Sequence, residues 1–248
     1  MVRTGIELYP DWRDAAAYSP LLEADRSLMA WEWLRRDRSY RSALRGSVDA
    51  PARFGLIAFE PAELAVPDAR PIWRSDAHPF VLPVSPVQLQ PGRDRFDPQQ
   101  LGGLDRVIAH EDEEHLLLSD GLHSIRLDAP LGTFGRGPVA LSYSVDSIAL
   151  AAPQILTLRR FLALYRSGRF SRMLHRPEPR SRRWVLMLRA WDAILAGADQ
   201  RHIAEALLSR SAGDPYWRSR EPSIRSQAQR LVRSARAFGA DGFRLLLR

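Results

Sequence analysis

The chain has 248 residues, 45% of them hydrophobic and 26% charged, a globular balance with room for one large domain or two modest ones. It contains no cysteine, which excludes disulfides, thiolate metal sites and cysteine nucleophiles. No run of 18 apolar residues predicts a membrane span, and the opening MVRTGIELYPDW lacks the apolar stretch of a signal peptide, so the expectation is a cytoplasmic protein.

Charge is unevenly spread. Residues 1–158 carry 16 Arg against 22 Asp and Glu, a net of −6, whereas residues 159–248 carry 20 Arg against 7 acids, a net of +13. A basic C-terminal part on a slightly acidic partner suggests a polyanion-binding end. Every basic side chain other than His is Arg. Codon bias in a GC-rich genome accounts for that, so the informative quantity is where the charge lies.

In chain order, residues 10–45 predict a small helical unit built on Trp12, Tyr18, Leu21, Leu22, Leu28, Met29, Trp31, Trp33, Leu34 and Tyr40. Trp31 and Trp33 are two positions apart and cannot share one helical face, so the expectation is that each packs into the chain's own core from a different side. Residues 46–98 hold nine prolines, from Pro51 to Pro98 and including Pro91, which argue against long helices. Short strands such as Phe54–Phe59 and Phe80–Leu82 fit there. Leu104–Ala109, His115–Ser119 and Leu122–Leu127 read as strands, the last two joined through the turn dipeptide Asp120-Gly121. His123, Ile125 and Leu127 alternate with Ser124, Arg126 and Asp128, the pattern of a half-buried strand. A further strand fits Val139–Val145. From Ile148 the period changes, and Leu158, Phe161, Leu162 and Tyr165 mark a helix ending near Gly168, followed by a basic connector from Arg169 to Arg183.

Three helices are predicted beyond it. Arg182–Ala196 carries a stripe of Trp184, Leu188, Trp191 and Leu195, read as core, with Gly197 as its stop. Asp199 caps Gln200–Leu208, in which Ile203, Ala204, Leu207 and Leu208 form one face and small Ala204 lets a following helix cross closely. Ser209–Glu221 is too long for a standard turn, with Gly213, Asp214 and Pro215 breaking the chain and Trp217 anchoring the excursion. Pro222–Phe238 follows, with Pro222 in its first turn and Gly239 as its stop. Ile224, Ala228, Leu231, Ala235 and Phe238 share one face of this helix, no acid occurs within it, and Arg and Gln occupy the opposite side. This is the candidate recognition helix. Arg225, Ser226, Gln229 and Arg233 are the candidate base readers, since Arg matches guanine and Gln matches adenine through paired hydrogen bonds. Arg201, Arg220, Arg230 and Arg236 are the candidate phosphate contacts.

WRDAAAYSPLLEADRSLMAWEWLRRDRSYR resembles a proteobacterial transcriptional-regulator-like segment. HLLLSDGLHSIRLD, LTLRRFLALYRSGRF, RRWVLMLRAWDAILAGADQRHIAEALL and PSIRSQAQRLVRSARAFGADGFRLLL together resemble the domain-of-unknown-function 2285 family, a transcription factor DNA-binding domain. The resemblance implies a variant helix-turn-helix, with members that activate excision and transfer of integrative and conjugative elements. Other members act as antiactivators by gripping the activators.

No catalytic constellation is visible. His110-Glu-Asp-Glu-Glu-His115 spaces its histidines one residue too far apart for a zincin, on a turn expected to be solvated. Gly132, Gly135 and Gly137 lack the Lys and strand–helix setting of a phosphate loop, and no nucleophile elbow is present. The expectation is therefore a non-enzyme with no metal and no cofactor, of α+β, mainly helical fold. Its parts are an N-terminal helical segment (1–45), a Pro-rich connector with short strands (46–103), and a β-hairpin plus helical DNA-binding domain (104–248) with a divergent helix-turn-helix over about 182–239. The expected partner is double-stranded DNA, with RNA polymerase or a regulatory protein alongside and no membrane. The alternative is an antiactivator or adaptor that binds another regulator through the Trp-rich N-terminal unit, and RNA binding ranks below both.

Overall fold

A computed structural model describes residues 9–46, 50–88, 94–101, 104–135 and 137–248. Residues 1–8 and Pro91 lie outside these. The fold is α+β with helices predominating. Helices α1 (Arg26–Leu34) and α2 (Arg38–Ala43) follow a 3-10 segment, Ala16–Leu22. Five strands come next: β1 (Val81–Val87), β2 (Asp105–His110), β3 (Glu113–Ser119), β4 (Ser124–Pro130) and β5 (Ala140–Tyr143). The chain closes with α3 (Ile148–Ser167), α4 (Ser181–Leu195), α5 (Gln200–Leu207), the short α6 (Trp217–Arg220), α7 (Pro222–Ala240) and a 3-10 turn, Gly242–Leu246.

The strands form one mixed sheet in the order β2-β3-β4-β1-β5, with β1 and β4 parallel and the other neighbours antiparallel. Two prolines sit in β1, next to the sheet's edge strand, because the strand changes partner midway: residues 81–83 pair with β4 and residues 84–87 with β5. The N and C=O of a residue point to the same side of a strand. Pro83, whose carbonyl accepts from Ser144 N, faces β5 at the end of that pairing, and Pro86 faces the β4 side after that pairing has stopped. Neither missing N–H interrupts a ladder. The predicted strand Phe54–Phe59 does not form. Pro51–Phe54 is a 3-10 turn closed by left-handed Gly55, and only Leu56 bridges to Trp73.

The sheet is covered on both faces. Leu116, Leu118, Ile125 and Leu127 pack against Phe96, Phe134 and the α3 residues Phe161 and Leu164. By length and composition α3 is apolar enough to cross a membrane, with a mean hydropathy of 1.2, although Arg159 and Arg160 interrupt it. The opposite face carries Leu117 beneath Ile57 and Ile72. That cover corrects the expectation of a half-solvated β4. Arg126 points to the second face, yet it is buried, its Nε and Nη2 each 2.7 Å from the two oxygens of Asp128.

A second core joins the two ends of the chain. Trp12, Trp31, Trp33 and Tyr40 from the first unit pack with Trp184, Leu188, Ala235 and Phe243 from the last helices. Both Trp31 and Trp33 are buried, as expected, because α1 is enclosed almost all round. At its centre lies an ion network. Arg36 donates to Asp192 through Nε (2.6 Å) and Nη2 (2.8 Å), and to Glu32 through Nη1 (2.5 Å). Arg35 donates to the same Glu32 oxygen, Val66 N to the other, and Tyr18 Oη to Asp192. Each of the four charged side chains is at most 4% exposed. Burial alone would raise the Glu32 carboxyl, but Arg36 and Arg35 beside it hold it below the ordinary range. Burial also pushes the Tyr18 hydroxyl far up, reinforced by Asp192.

Such a network is costly to break from one side, since an unpaired charge is left in the interior. Asp192→Ala is therefore expected to lower the unfolding free energy by about 3–5 kcal/mol in urea titration. A loss below about 1 kcal/mol, the range of a surface pair, would contradict the role given to it.

Candidate nucleic-acid interface

Helix α7 starts on Pro222, whose missing N–H costs nothing in a first turn. Its inner face is the expected one. Ala228, Leu231 and Ala235 are buried, while Ile224 and Phe238 are half-buried at either end. Phe238 meets the Trp33 ring at 5.4 Å between centroids, so α7 rests on α1 as well as α4. Gly239 does not stop the helix, which runs on to Ala240. Its role is close approach: a Cβ there would lie 2.6 Å from Cε2 and Cζ2 of Trp191, so only glycine lets α4 and α7 meet at this point.

Helix α5 begins where expected, with Asp199 accepting from His202 N at 2.9 Å. That bond, together with the His202 ring, holds the Asp199 carboxyl below its ordinary range. Between α5 and α7 the chain makes the expected excursion around Trp217, which is buried with Ala204, Ala212 and Ala228. A small core of three alanines around one indole fixes α5, α6 and α7 against one another, and it explains why a connection this long still leaves the two helices in contact.

The outer face of α7 is open. Arg225, Ser226, Gln229, Arg230, Arg233 and Arg236 are all exposed. Gln229, Arg233 and Arg236 border a shallow groove whose other wall is the α4–α5 turn, with Gly197, Asp199 and Gln200. Gln200 was not singled out from the sequence. Its place at the first turn of the capped helix was legible, but its position opposite Gln229 depends on the α5–α7 crossing. The two remaining candidates stand apart from this stripe. Arg220 is exposed on α6, where Nη1 donates to Asp214 at 2.6 Å and the guanidinium lies 5.7 Å from the Tyr216 ring. Arg201 is half-buried on α5, with its Nε enclosed and lacking a hydrogen-bond partner.

The acidic turn between β2 and β3 is only partly solvated. Glu111, Asp112 and Glu113 are exposed, but Glu114 is buried, accepting from Phe134 N at 2.7 Å, and so is His115. The ligand atoms of Glu113, His115 and Asp128 lie within 4.8 Å of one another. Both Asp128 oxygens are already engaged by Arg126, and His115 Nδ1 sits 2.9 Å from Asp128 and 3.1 Å from Arg126 Nη2. Burial would raise Asp128, while His115 and Arg126 bring it below the ordinary range. The arrangement is that of an ion pair supporting the sheet.

Residues 146–248 match a family described as a T6SS transcription factor DNA-binding domain. Residues 11–54 match a proteobacterial transcriptional regulator-like domain. Together they support a DNA-binding transcription regulator, and both are regulator rather than enzyme families. Neither the curated proteins nor the solved structures hold a match. The first match spans α3 to the C-terminus, including every candidate DNA-binding residue.

The seating of α7 can be tested at Gly239, where its backbone meets the Trp191 ring. Ala normally favours a helix over Gly by about 1 kcal/mol. At position 239 the added methyl is expected instead to destabilise the fold by about 1–3 kcal/mol, the cost of overpacking. In a Trp191→Leu background the sign of Gly239→Ala should reverse. Chemical denaturation of the four chains checks both, and a stabilising Gly239→Ala in the Trp191 protein would contradict the close approach.

Proposed function

We propose that the protein is a sequence-specific DNA-binding transcription regulator in which α7 is the recognition helix of a divergent helix-turn-helix. One observation carries this reading: six polar side chains, four of them Arg, project from one open face of a helix whose opposite face is locked into the core, with no acid on the helix. A rigid cationic ridge of this kind suits the major groove. Arg225, Ser226, Gln229 and Arg233 would meet base edges, Arg233 and Arg225 pairing with guanine and Gln229 with adenine. Arg230 and Arg236, flanking that stripe, would meet phosphates, with Arg201 and Arg220 as further contacts from α5 and α6. Arg220 would have to exchange Asp214 for a phosphate oxygen. Gln200, which lines the same groove as Gln229, would join the readout.

The resemblance to the domain-of-unknown-function 2285 family supports a narrower reading, an activator of mobile-element genes that works with RNA polymerase or another regulator. A nucleoid-associated location in the cytoplasm follows from a DNA partner. The antiactivator alternative loses its proposed surface, because Trp12, Trp31 and Trp33 are buried in the protein's own core.

Fragments selected from random duplex DNA provide the test. Binding should weaken linearly with the logarithm of salt, and Arg230→Ala should weaken all sequences alike and lower the salt slope by about 1. Gln229→Ala with Arg233→Ala should remove about 2–6 kcal/mol of specific binding, at about 1–3 kcal/mol for each paired contact. Unchanged specific affinity in that double variant would overturn the helix assignment.

A further inference from the structure

Away from α7, the two cores meet at a cavity of about 200 Å³. Its walls come from α1, the 70–80 crossing, the covered face of β3 and β4, α3, and the connector before α4. Five guanidiniums line it, those of Arg26, Arg70, Arg126, Arg160 and Arg176, against the two carboxylates Asp25 and Glu178. Asp128 behind Arg126 offsets a third, and His78 adds no charge: it is held neutral by burial and its Nδ1 donates to Leu247 O at 2.9 Å. Two positive charges are left over.

The hydrogen-bond inventory points the same way. Trp73 Nε1 and Arg126 Nη1 are buried without a hydrogen-bond partner, on side chains 3% and 5% exposed. Arg26 Nε is likewise enclosed, its nearest carboxylate being Glu178 at 3.9 Å. All three are donors with no accepting capacity, so a cation cannot satisfy them and an acceptor can. Unsatisfied buried donors are rare in folded proteins, and three on the walls of one cavity constitute a concentration. Leu28, Phe80 and Leu117 supply an apolar floor beside them.

We propose that this cavity is a binding site for a small organic anion, a carboxylate or phosphate ester carrying a compact apolar body. The anion takes hydrogen bonds from Trp73 Nε1 and Arg126 Nη1 and charge from Arg70 and Arg160, while its apolar part lies on Phe80 and Leu117. Such a ligand fastens the sheet and α3 to α1. Arg26, on the same wall, donates through Nη2 to Leu245 O at 3.1 Å, in the segment that follows α7. The site is thereby connected to the helix end without touching the DNA face.

Calorimetric titration of the full chain, in the absence of DNA, tests the site independently of DNA reading. Phenyl phosphate and benzoate serve as probes for the two headgroups. At least one is expected to saturate at one molecule per chain, and the one that does so identifies the headgroup. Trp73→Phe removes the donor but also shrinks a buried aromatic side chain. Arg70→Gln alters a half-exposed cation whose Nη1 also holds the Pro67 and Ala69 carbonyls, and it removes no buried aromatic ring, so weaker binding by Arg70→Gln separates lost recognition from lost packing, with a thermal melt of each variant checking that it folds. Each is expected to weaken binding about tenfold or more, as loss of a hydrogen bond or charge to an anion does. No saturable binding of either probe at millimolar concentration would overturn the proposal, and so would binding by both variants as tight as by the parent chain.

Discussion

The bidentate contact between Arg36 and Asp192 ties together parts of the molecule that are 156 residues apart in the chain. Enclosed on all sides, it has no aqueous alternative, so α1 and α4 must stay in register for either charge to remain paired. The rest of the helical half is arranged around that constraint. Trp31 and Trp33 leave α1 in different directions and both find core, because α1 is surrounded by α4, α7 and the 54–73 segment. Although residues 11–54 and 146–248 match two separate regulator families, their side chains build one hydrophobic interior.

That shared interior fixes α7 in place, as its proposed role in reading DNA requires. Its inner face is closed by Ala228, Leu231 and Ala235, its C-terminal end by Phe238 on Trp33 and by Gly239 against Trp191. Arg side chains on a mobile helix would lose rotamer and backbone freedom on meeting DNA, and a helix already fixed avoids the second of these penalties. The sheet plays a supporting part. Its apolar face seats α3, and its polar face, sealed by the proline-rich segment, forms one wall of the cationic cavity.

Much of this was legible in the sequence where a single local rule decided the outcome. The periodicity of Pro222–Phe238 identified both faces of α7, the Asp199 cap marked the start of α5, and Trp217 marked a buried anchor in an otherwise polar excursion. What was not legible depended on distant neighbours. Gly239 looked like a helix stop because the Trp191 ring that requires it lies on another helix. Arg126 looked solvent-facing because alternation reports which residues share a face, not whether that face is covered. The switch of partner that accommodates two prolines in β1 was not legible either, because it is a property of the sheet. The cavity escaped notice for the same reason: its Arg residues come from five separate segments.

Since the chain has no cysteine, a single one can be placed at will. Ala237→Cys, an exposed α7 position with no assigned contact, carrying a metal-chelate cleavage reagent and bound to its selected DNA, reports directly on where the outer face of α7 lies. The account predicts cuts confined to a few base pairs at the centre of the site, with none from the same reagent on Ser142→Cys at the far edge of the sheet. Cleavage from position 142 with none from position 237 would contradict it.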